Sequence, residues 1–206
     1  MTEAEAKAWI VDRWGKVAVE KLAHLAALVL AEAALQNLIA PSTMTQIWNR
    51  HIVDSAQLLT LADNARKSGL WLDIGTGAGF PGLVIACLSD RPIVLVEPRP
   101  RRAAFLERAA GALGLAAKVM VYASKVGSVD VRANVISARA VAPLATLFGD
   151  AQHNADEDTL WILPKGQSAR EELASARQTW QGVFHVEHSV TDPDALIVVA
   201  SKVVRR

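Results

Sequence analysis

The sequence has a single cysteine, few aromatic residues and almost no net charge. Cys87 is the only cysteine among 206 residues, so no disulfide can form within the chain, and its apolar neighbours predict a buried thiol. No cluster of residues has the spacing of metal ligands, so we expect no metal site. The 22 basic and 21 acidic residues give a net charge of +1, and any surface for nucleic acid must therefore be a local patch.

Long apolar runs are also absent. None reaches the roughly 18 residues of a membrane span, and the acidic segment 1–5 is unlike a signal peptide. These two absences predict a cytoplasmic protein with no membrane partner. The apolar residues make up 51% of the chain, which is enough for a hydrophobic core, so we do not expect disorder.

The chain divides into a helical N-terminal part and a longer part in which strands and helices alternate. Thr2 and Glu5 have the spacing of a capping box, which predicts a helix from the N-terminus onward. Pro41 ends the helical pattern, and a second helical pattern follows it. We predict an N-terminal helical cap over residues 1–66, with a polar connector at 63–69, and a second domain over residues 67–206.

The alternation in the second domain predicts a mostly parallel sheet with helices on both faces. The predicted strands are 70–74, 92–97, 118–122, 133–138, 159–164, 183–189 and 195–203. The predicted helices are 80–89, 100–113, 141–150 and 167–180. Only five residues join the last two strands, which is too short for a parallel crossover, so we predict that these two pair antiparallel.

A glycine-rich turn, Trp71–Gly82, joins the first strand of this domain to its first helix. Glycines allow positive φ angles and let a ligand approach the backbone closely, and the start of a helix carries a partial positive charge. Glu97 ends the next strand, where an acid can bind ribose hydroxyls. The pattern predicts a site for an adenosine-type cofactor at the carboxyl edge of the sheet.

Two classes of cofactor fit this turn. Gly77–Gly82 matches the G-x-G-x-x-G fingerprint of dinucleotide-binding proteins. In the register that begins at Asp73, the same turn is similar to the first motif of class I S-adenosylmethionine-dependent methyltransferases. Asp73 favours the second class, because a carboxylate would repel a pyrophosphate but not a sulfonium or an ammonium group. The predicted α/β sheet, Rossmann-like and mostly parallel with one antiparallel strand, is the plan of that class.

The residues also restrict the methyl acceptor. Cys87 lies in the helix after the turn, where it cannot act as the nucleophile that pyrimidine C5 methylation uses. The segment 136–144 lacks the Pro-Pro-aromatic turn that is common in amine methylation. Acceptors with a free lone pair remain, such as guanine N7, for which no base is needed and an arginine can bind the neighbouring O6. Small-molecule acceptors remain open as well.

Several blocks of the sequence resemble the glucose-inhibited division protein B family, the bacterial 16S rRNA guanine-N7 methyltransferases. The matching blocks are 37–39, 48–55, 73–82, 97–106, 136–140 and 163–166. The resemblance implies methylation at N7 of guanine 527, in the 530 loop of 16S rRNA, with S-adenosyl-L-methionine as the donor. It implies 16S rRNA or the small ribosomal subunit as the partner, and we expect the chain to be a monomer.

The resemblance also implies particular site residues. Arg139 is the expected catalytic residue and a cofactor contact. The resemblance implies further cofactor contacts at Gly75, Phe80, Val126 and Gly127. The pattern of the turn and of the second strand adds Asp73, Thr76, Gly77 and Glu97 to the expected cofactor residues. The sequence departs from the family pattern at residues 30–33, at Gly127, where an acid is common, and at Asn134, where an aspartate is usual.

Five residues are candidates for contact with RNA: Arg50, His51, Arg99, Arg102 and Lys165. For His51 a second interpretation is equally open, because Asp54 and Ser55 lie on the same helical face. These three side chains would then form a packing cluster that holds the cap on the sheet. Arg50 and Asp54 have the spacing of an ion pair within one helix, which contributes about 0.3–0.5 kcal/mol.

Three other functions stay open at this point. A small-molecule methyltransferase would act without RNA and leaves the run of arginines in 99–108 unexplained. An oxidoreductase that uses a dinucleotide is disfavoured by Asp73. A cofactor-binding sensor without turnover is disfavoured by the intact glycine motif.

Overall fold

In this computed structural model the structure describes residues 1–62 and 68–206, which form one seven-stranded sheet with helices on both faces. Most of the connector predicted at 63–69 lies outside the described residues. The predicted boundary between residues 66 and 67 lies outside them too.

The N-terminal helix α1 (Glu3–Ala33) begins as the sequence predicts. The Thr2 hydroxyl accepts from the Glu5 backbone N–H at 3.2 Å, and the Glu5 carboxylate accepts from the Thr2 N–H at 2.8 Å, which completes the capping box. Gly15 has a φ of 78° inside α1, so the helix consists of two helical pieces that meet at this residue.

The second helical pattern forms three short elements in place of one helix. They are a 3-10 helix (Pro41–Gln46), a π-helical segment (Trp48–Val53) and α2 (Asp54–Leu61). The carboxylate of Glu3 accepts hydrogen bonds of 3.0 and 2.9 Å from the backbone N–H groups of Trp48 and Asn49. Glu3 therefore satisfies donors at the start of the π-helical segment, which otherwise has no side-chain cap.

Seven strands form the sheet in the order β3-β2-β1-β4-β5-β7-β6. They are β1 (Trp71–Ile74), β2 (Ile93–Val96), β3 (Val119–Tyr122), β4 (Val135–Ala138), β5 (Leu160–Gly166), β6 (Trp180–His188) and β7 (Leu196–Arg205). β1 to β5 pair in parallel, whereas β7 lies antiparallel between β5 and β6. The antiparallel pairing predicted from the short last connection is confirmed.

Helices cover both faces of the sheet, and alternate strand residues point to opposite faces. The helices of this domain are α3 (Gly82–Leu88), α4 (Pro100–Ala112), α5 (Leu144–Ala151) and α6 (Ala169–Ala176), with 3-10 turns at Val126–Ser128 and Gln152–Asn154. α1 to α4 pack on one face around Trp71, and α5 and α6 pack on the other around Trp161. None of the helices in the described part of the chain is both long and apolar enough to cross a bilayer.

The four helices predicted for this domain are each longer than the structure has them, by one to six residues. The helix predicted over 167–180 ends at Ala176, and β6 begins at Trp180, before the predicted start at 183. Trp180 is 4% exposed and packs against Phe148 with 5.7 Å between ring centroids, so burial of the indole outweighs the local helical pattern. The helix predicted over 141–150 begins only at Leu144, because residues 139–143 form a loop at the end of β4.

Candidate active site

A cleft of about 860 Å³ opens at the carboxyl edge of the sheet. Three regions line most of it: the glycine loop after β1 (75–80), the loop after β4 (139–143), and the cap between residues 38 and 54. The hairpin loop between β6 and β7 (189–195) contributes a fourth side. This is the edge where ligands bind in sheets of this kind, because the loops that leave parallel strands converge there.

The backbone of the glycine loop has a conformation that side chains rarely tolerate. Gly75, Gly77 and Gly79 have φ angles of 64°, 59° and 93°. A Cβ atom on Gly75 would lie 2.6 Å from the nearer methyl carbon of Val141 in the loop after β4. The two loops therefore approach closely only because this position is glycine.

Asp73 lies beneath the glycine loop and does not line the cleft. Its side chain is fully buried, and its carboxylate accepts from the Gly82 N–H at 2.9 Å and from the Ser137 hydroxyl at 2.7 Å. The Ser137 hydroxyl in turn accepts from the Trp71 indole N–H at 2.8 Å. Burial raises the pKa of Asp73 to about 6, although its hydrogen bonds act in the opposite direction.

The role expected for Asp73 therefore needs correction. Its carboxylate does not lie in the cleft, where a sulfonium or ammonium group could meet it, but fixes the start of α3 to β1. The N–H of Gly82, at the first position of α3, is bound to Asp73 and is not directed at a ligand.

Glu97 lies at the end of β2, as predicted, and is 3% exposed. Its carboxylate accepts from the Gly77 N–H at 3.1 Å and from the Arg99 N–H at 2.9 Å, so it holds the glycine loop against β2. Val126 and Gly127 form the turn after β3, at the same edge of the sheet and outside the lining of the cleft.

Arg139, at the end of β4, connects the sheet to the cap. Its Nη1 donates to the Asp54 carboxylate and to the Arg50 carbonyl, both at 3.1 Å, and its Nη2 donates to Nδ1 of His51 at 3.0 Å. The Asp54 carboxylate also accepts from the Thr191 hydroxyl of the hairpin loop at 3.1 Å. Arg139 thus occupies the junction of β4, the cap and the hairpin loop.

The ion pair predicted between Arg50 and Asp54 is wrong. Arg50 pairs with Asp192 of the hairpin loop at 3.0 Å, and Asp54 pairs with Arg139 at 3.1 Å. Both partners come from segments far along the chain, which spacing within one helix cannot reveal. The side chain of Arg50 remains 44% exposed at the rim of the cleft.

His51 is packed between the cap and the glycine loop. Its ring stacks on Phe80 with 5.0 Å between centroids and 24° between planes, and its Nε2 lies 2.8 Å from the Thr43 hydroxyl. Burial, Arg139 and Arg50 together lower the pKa of His51 to about 3, so the ring is neutral near pH 7. The Ser55 hydroxyl donates to the backbone carbonyl of His51 at 2.5 Å, a bond within the helix that does not involve the imidazole.

The other basic candidates have different surroundings. Arg102 lines the cleft and donates to the Asn37 carbonyl at 2.5 Å, while Arg99 is exposed beside Glu97. The side chain of Lys165 is only 5% exposed, and its ammonium group binds the Glu172 carboxylate at 3.1 Å and the Ala142 carbonyl. Its charge thus helps to hold the loop after β4; Lys165 also lines the cleft, and its contact with RNA stays a prediction.

Several residues of the site escape sequence reasoning, notably Thr43, Ser137, Glu172, Thr191 and Asp192. Ser137 offers the one local signal, a hydroxyl in the buried run of β4. The others meet the site only through the fold.

The residues of the cleft suit the binding of S-adenosyl-L-methionine better than they suit a reaction that depends on a nucleophilic thiol or on a bound metal ion. Two of the positive-φ glycines, Gly75 and Gly77, line the cleft together with Arg139. Burial raises the pKa of the Cys87 thiol to about 11, and Cys87 does not line the cleft. Among residues 1–62 and 68–206, no group of three or more His, Cys, Asp or Glu side chains could hold a metal ion.

Solved structures with a similar fold show the fold class. A variant of MtNAS in complex with S-adenosylmethionine matches with a TM-score of 0.63 and 15% identity, covering 88% of this chain and 71% of that one. A ribosomal protein L11 methylase of Lactobacillus delbrueckii subsp. bulgaricus matches with a TM-score of 0.56 and 17% identity, covering 74% and 77%. The fold is that of the class I S-adenosylmethionine-dependent methyltransferases, as predicted.

Sequence relatives narrow the class to a family. The family model GidB, rRNA small subunit methyltransferase G, matches residues 18–194. Ribosomal RNA small subunit methyltransferase G of Novosphingobium aromaticivorans is 49% identical, covering 97% of this chain and 88% of that protein. The protein of the same name from Zymomonas mobilis is 44% identical, covering 98% and 95%. The chain belongs to this family, which confirms the expectation of an rRNA methyltransferase.

Proposed function

We propose that this chain transfers a methyl group from S-adenosyl-L-methionine to N7 of guanine 527, in the 530 loop of 16S rRNA. The observation that carries the proposal is that the glycine loop and Arg139 line one cleft, in a chain whose family acts on small-subunit rRNA. The cleft thus combines a cradle for the donor with a permanently charged hydrogen-bond donor for a base.

The residues that would hold the cofactor are Gly75, Thr76, Gly77 and Phe80, four of the five residues of the glycine loop that line the cleft. Asp73 and Glu97 support this role through the loop, because each binds a backbone N–H group within it or at its end. We expect the adenine to lie toward Val126 and Gly127, which follow the strand beside β2. When bound, S-adenosyl-L-methionine supplies an electrophilic methyl group.

Guanine N7 suits the side chains around the cleft. N7 carries a lone pair and no proton, so none of the residues has to act as a base. Arg139 can donate to O6 of the guanine and leave N7 free. Methylation makes the base positively charged, and the surroundings tolerate this because His51 is neutral and Asp54 offsets the charge of Arg139.

The basic side chains at the rim are the proposed contacts with RNA phosphates. Arg50 and Arg102 line the cleft, and Arg99 is exposed beside it. Because the net charge is only +1, the affinity for RNA must come from these few arginines. Those that already have a partner in the protein would exchange it for an RNA phosphate. Arg50, for example, would exchange Asp192 for a phosphate. We expect the chain to bind RNA as a monomer.

The test uses radiolabelled S-adenosyl-L-methionine with small ribosomal subunits from a strain that lacks this modification, and with naked 16S rRNA in parallel. We expect label on N7 of guanine 527 with at least one substrate, and none when that guanine is replaced by adenine. Label at another nucleotide would overturn the assigned position. Turnover on small molecules without any RNA would favour the small-molecule alternative instead.

A further inference from the structure

The guanidinium group of Arg139, which is proposed to bind the substrate, is tightly restrained by hydrogen bonds within the protein. Three acceptors from the cap surround its guanidinium group: the Asp54 carboxylate, the Arg50 carbonyl and Nδ1 of His51. Asp54 is itself held by the Gln57 amide at 3.0 Å and by the Thr191 hydroxyl at 3.1 Å. The cap fixes the orientation of the guanidinium plane directly, and the hairpin loop supports it by holding Asp54.

The hydrogen bonds around His51 have only one consistent direction. Arginine donates and cannot accept, so Nδ1 of His51 must accept and carries no proton. The proton of the neutral ring is then on Nε2, which donates to the Thr43 hydroxyl at 2.8 Å. The Thr43 hydroxyl in turn donates to the Ala40 carbonyl at 2.9 Å. This chain of bonds from Arg139 to Ala40 fixes a single tautomer.

The ring is also fixed in position by packing. His51 is 9% exposed and stacks on Phe80 of the glycine loop, while the Arg139 guanidinium carbon lies 5.7 Å from the centre of the same Phe80 ring. The charged groups beside the imidazole are Arg139 and Arg50, and Asp54 binds the other terminal nitrogen of Arg139. A protonated imidazole would meet two cations and would lose its bond from Arg139.

We propose that His51 is a positioning residue, which acts with Thr43 to hold Arg139 at the orientation needed for the methyl acceptor. This role replaces direct contact of His51 with RNA, and it excludes His51 as a carrier of protons. It rests on the proposed function, in which Arg139 contacts the base. The geometry assigns the role because both ring nitrogens are used internally.

Three variants test this role. His51→Phe keeps a ring on Phe80 but offers Arg139 no acceptor, so we expect kcat to fall about ten- to a hundredfold, with KM values changed by no more than about threefold. His51→Asn places an amide oxygen near Nδ1 and should recover most of the lost kcat. Thr43→Val removes the acceptor of Nε2–H, together with the bond of the Thr43 hydroxyl to the Ala40 carbonyl, and should have an intermediate effect. Thermal unfolding shows whether each variant is folded.

Two further readouts separate positioning from a general loss of structure. The ¹⁵N–¹H signals of the Arg139 guanidinium, recorded without cofactor or RNA, should be sharp in the protein and in His51→Asn, but broadened in His51→Phe. The imidazole ¹⁵N shifts should show a protonated Nε2 and a bare Nδ1. Because these spectra involve no turnover, they test the role of His51 even if the protein fails to methylate rRNA, which would count only against the proposed function.

The outcomes that would overturn the role are distinct. Wild-type kcat in His51→Phe would show that Arg139 needs no support from His51. A His51→Asn variant as impaired as His51→Phe would show that the acceptor at Nδ1 is not what matters. A wild-type pH profile that titrates between about pH 6 and 7, and loses this titration in His51→Asn, would make His51 a proton carrier instead.

Discussion

The two walls of the cleft are built in different ways. The loop wall, residues 73–82 with Glu97, is made of backbone that two buried carboxylates hold in place. The cap wall, residues 43–57 with Arg139 and the hairpin loop, is made of side chains that bind one another across three segments. One wall depends on the absence of side chains, and the other depends on their presence.

This difference determines which kind of substitution would disrupt each wall. A backbone cradle is damaged by adding atoms, because a Cβ on Gly75, Gly79 or Gly82 would lie 2.6 Å or less from a neighbouring side-chain atom. A side-chain network is damaged by removing atoms, because each lost partner leaves a polar group unpaired. Substitutions in the two walls should therefore separate stability from turnover.

The largest expected effect comes from Arg139→Ala in the cap wall. It removes the proposed donor to the acceptor base, and it also leaves the Asp54 carboxylate without its cationic partner. We expect kcat on small-subunit rRNA to fall about 10²–10³-fold, while the protein stays folded. Arg139→Lys should recover little, because an ammonium group cannot reproduce the planar set of donors. Arg170→Ala, an exposed position on α6, is the control, and near-normal turnover of Arg139→Ala would remove this residue from the mechanism.

Gly82→Ala should damage the loop wall through stability. Its Cβ would lie 2.2 Å from a methyl carbon of Leu95 and 2.9 Å from an Asp73 carboxylate oxygen. We expect the free energy of unfolding in urea to fall by about 1–3 kcal/mol. Gly111→Ala is the matched control, because its Cβ has no neighbour within 4 Å and lies in α4, where alanine should stabilise by up to about 1 kcal/mol. Equal stability of the two variants would contradict the tight packing of the loop wall.

Asp73→Asn should change the pH dependence of stability more than stability itself. The pKa of Asp73 is raised from 3.8 to about 6 in the folded protein, so between these values the folded state holds a proton that the unfolded state releases. The free energy of unfolding therefore decreases as pH rises from about 4 to 6. Above pH 6 the full cost of burying the ionised Asp73 carboxylate is present. The asparagine variant should lack this component while remaining within about 1 kcal/mol of the wild type at pH 7. Urea unfolding at several pH values measures it, and an unchanged profile would refute the assignment.

The smallest effect is expected from Arg50→Gln at the rim of the cap wall. The Arg50–Asp192 pair is exposed, so the free energy of unfolding should change by no more than about 1 kcal/mol. If Arg50 exchanges Asp192 for a phosphate, the slope of log affinity for RNA against log salt should decrease in magnitude by about one. An unchanged slope would exclude Arg50 from the RNA contact.

The loop wall was predictable because its signals are local. The spacing of Gly75, Gly77 and Gly79 after a strand indicates a tight turn at the carboxyl edge, and Glu97 follows at the end of the next strand. The argument that a carboxylate at Asp73 would repel a pyrophosphate but not a sulfonium selected the methyltransferase class, which the fold confirms. The physical reason was incomplete, however. The carboxylate acts on the Gly82 N–H, and no sequence pattern showed that it would be buried under the loop.

The cap wall was not predictable because its contacts join distant parts of the chain. Spacing within a helix paired Arg50 with Asp54, whereas the fold brings Asp192 to one and Arg139 to the other. Lys165 was a candidate for RNA contact because it ends a strand, and nothing in the local sequence showed that it would bind Glu172 and the loop after β4. Tertiary packing decides which side chains become partners, and local sequence propensity does not reveal it.

The contact between the hairpin loop and the cap also sets an order of events during synthesis. Gln57 and Val190, joined at 2.9 Å, are 133 positions apart. At a translation rate of about 5–20 residues per second, roughly 7 to 27 seconds pass between the synthesis of the two. During that interval Gln57 and Asp54 have no partners in the hairpin loop, and Arg50 has no Asp192. The cleft can therefore close on its fourth side only after residues 189–195 have been made, so chains that stop before them are not expected to modify RNA.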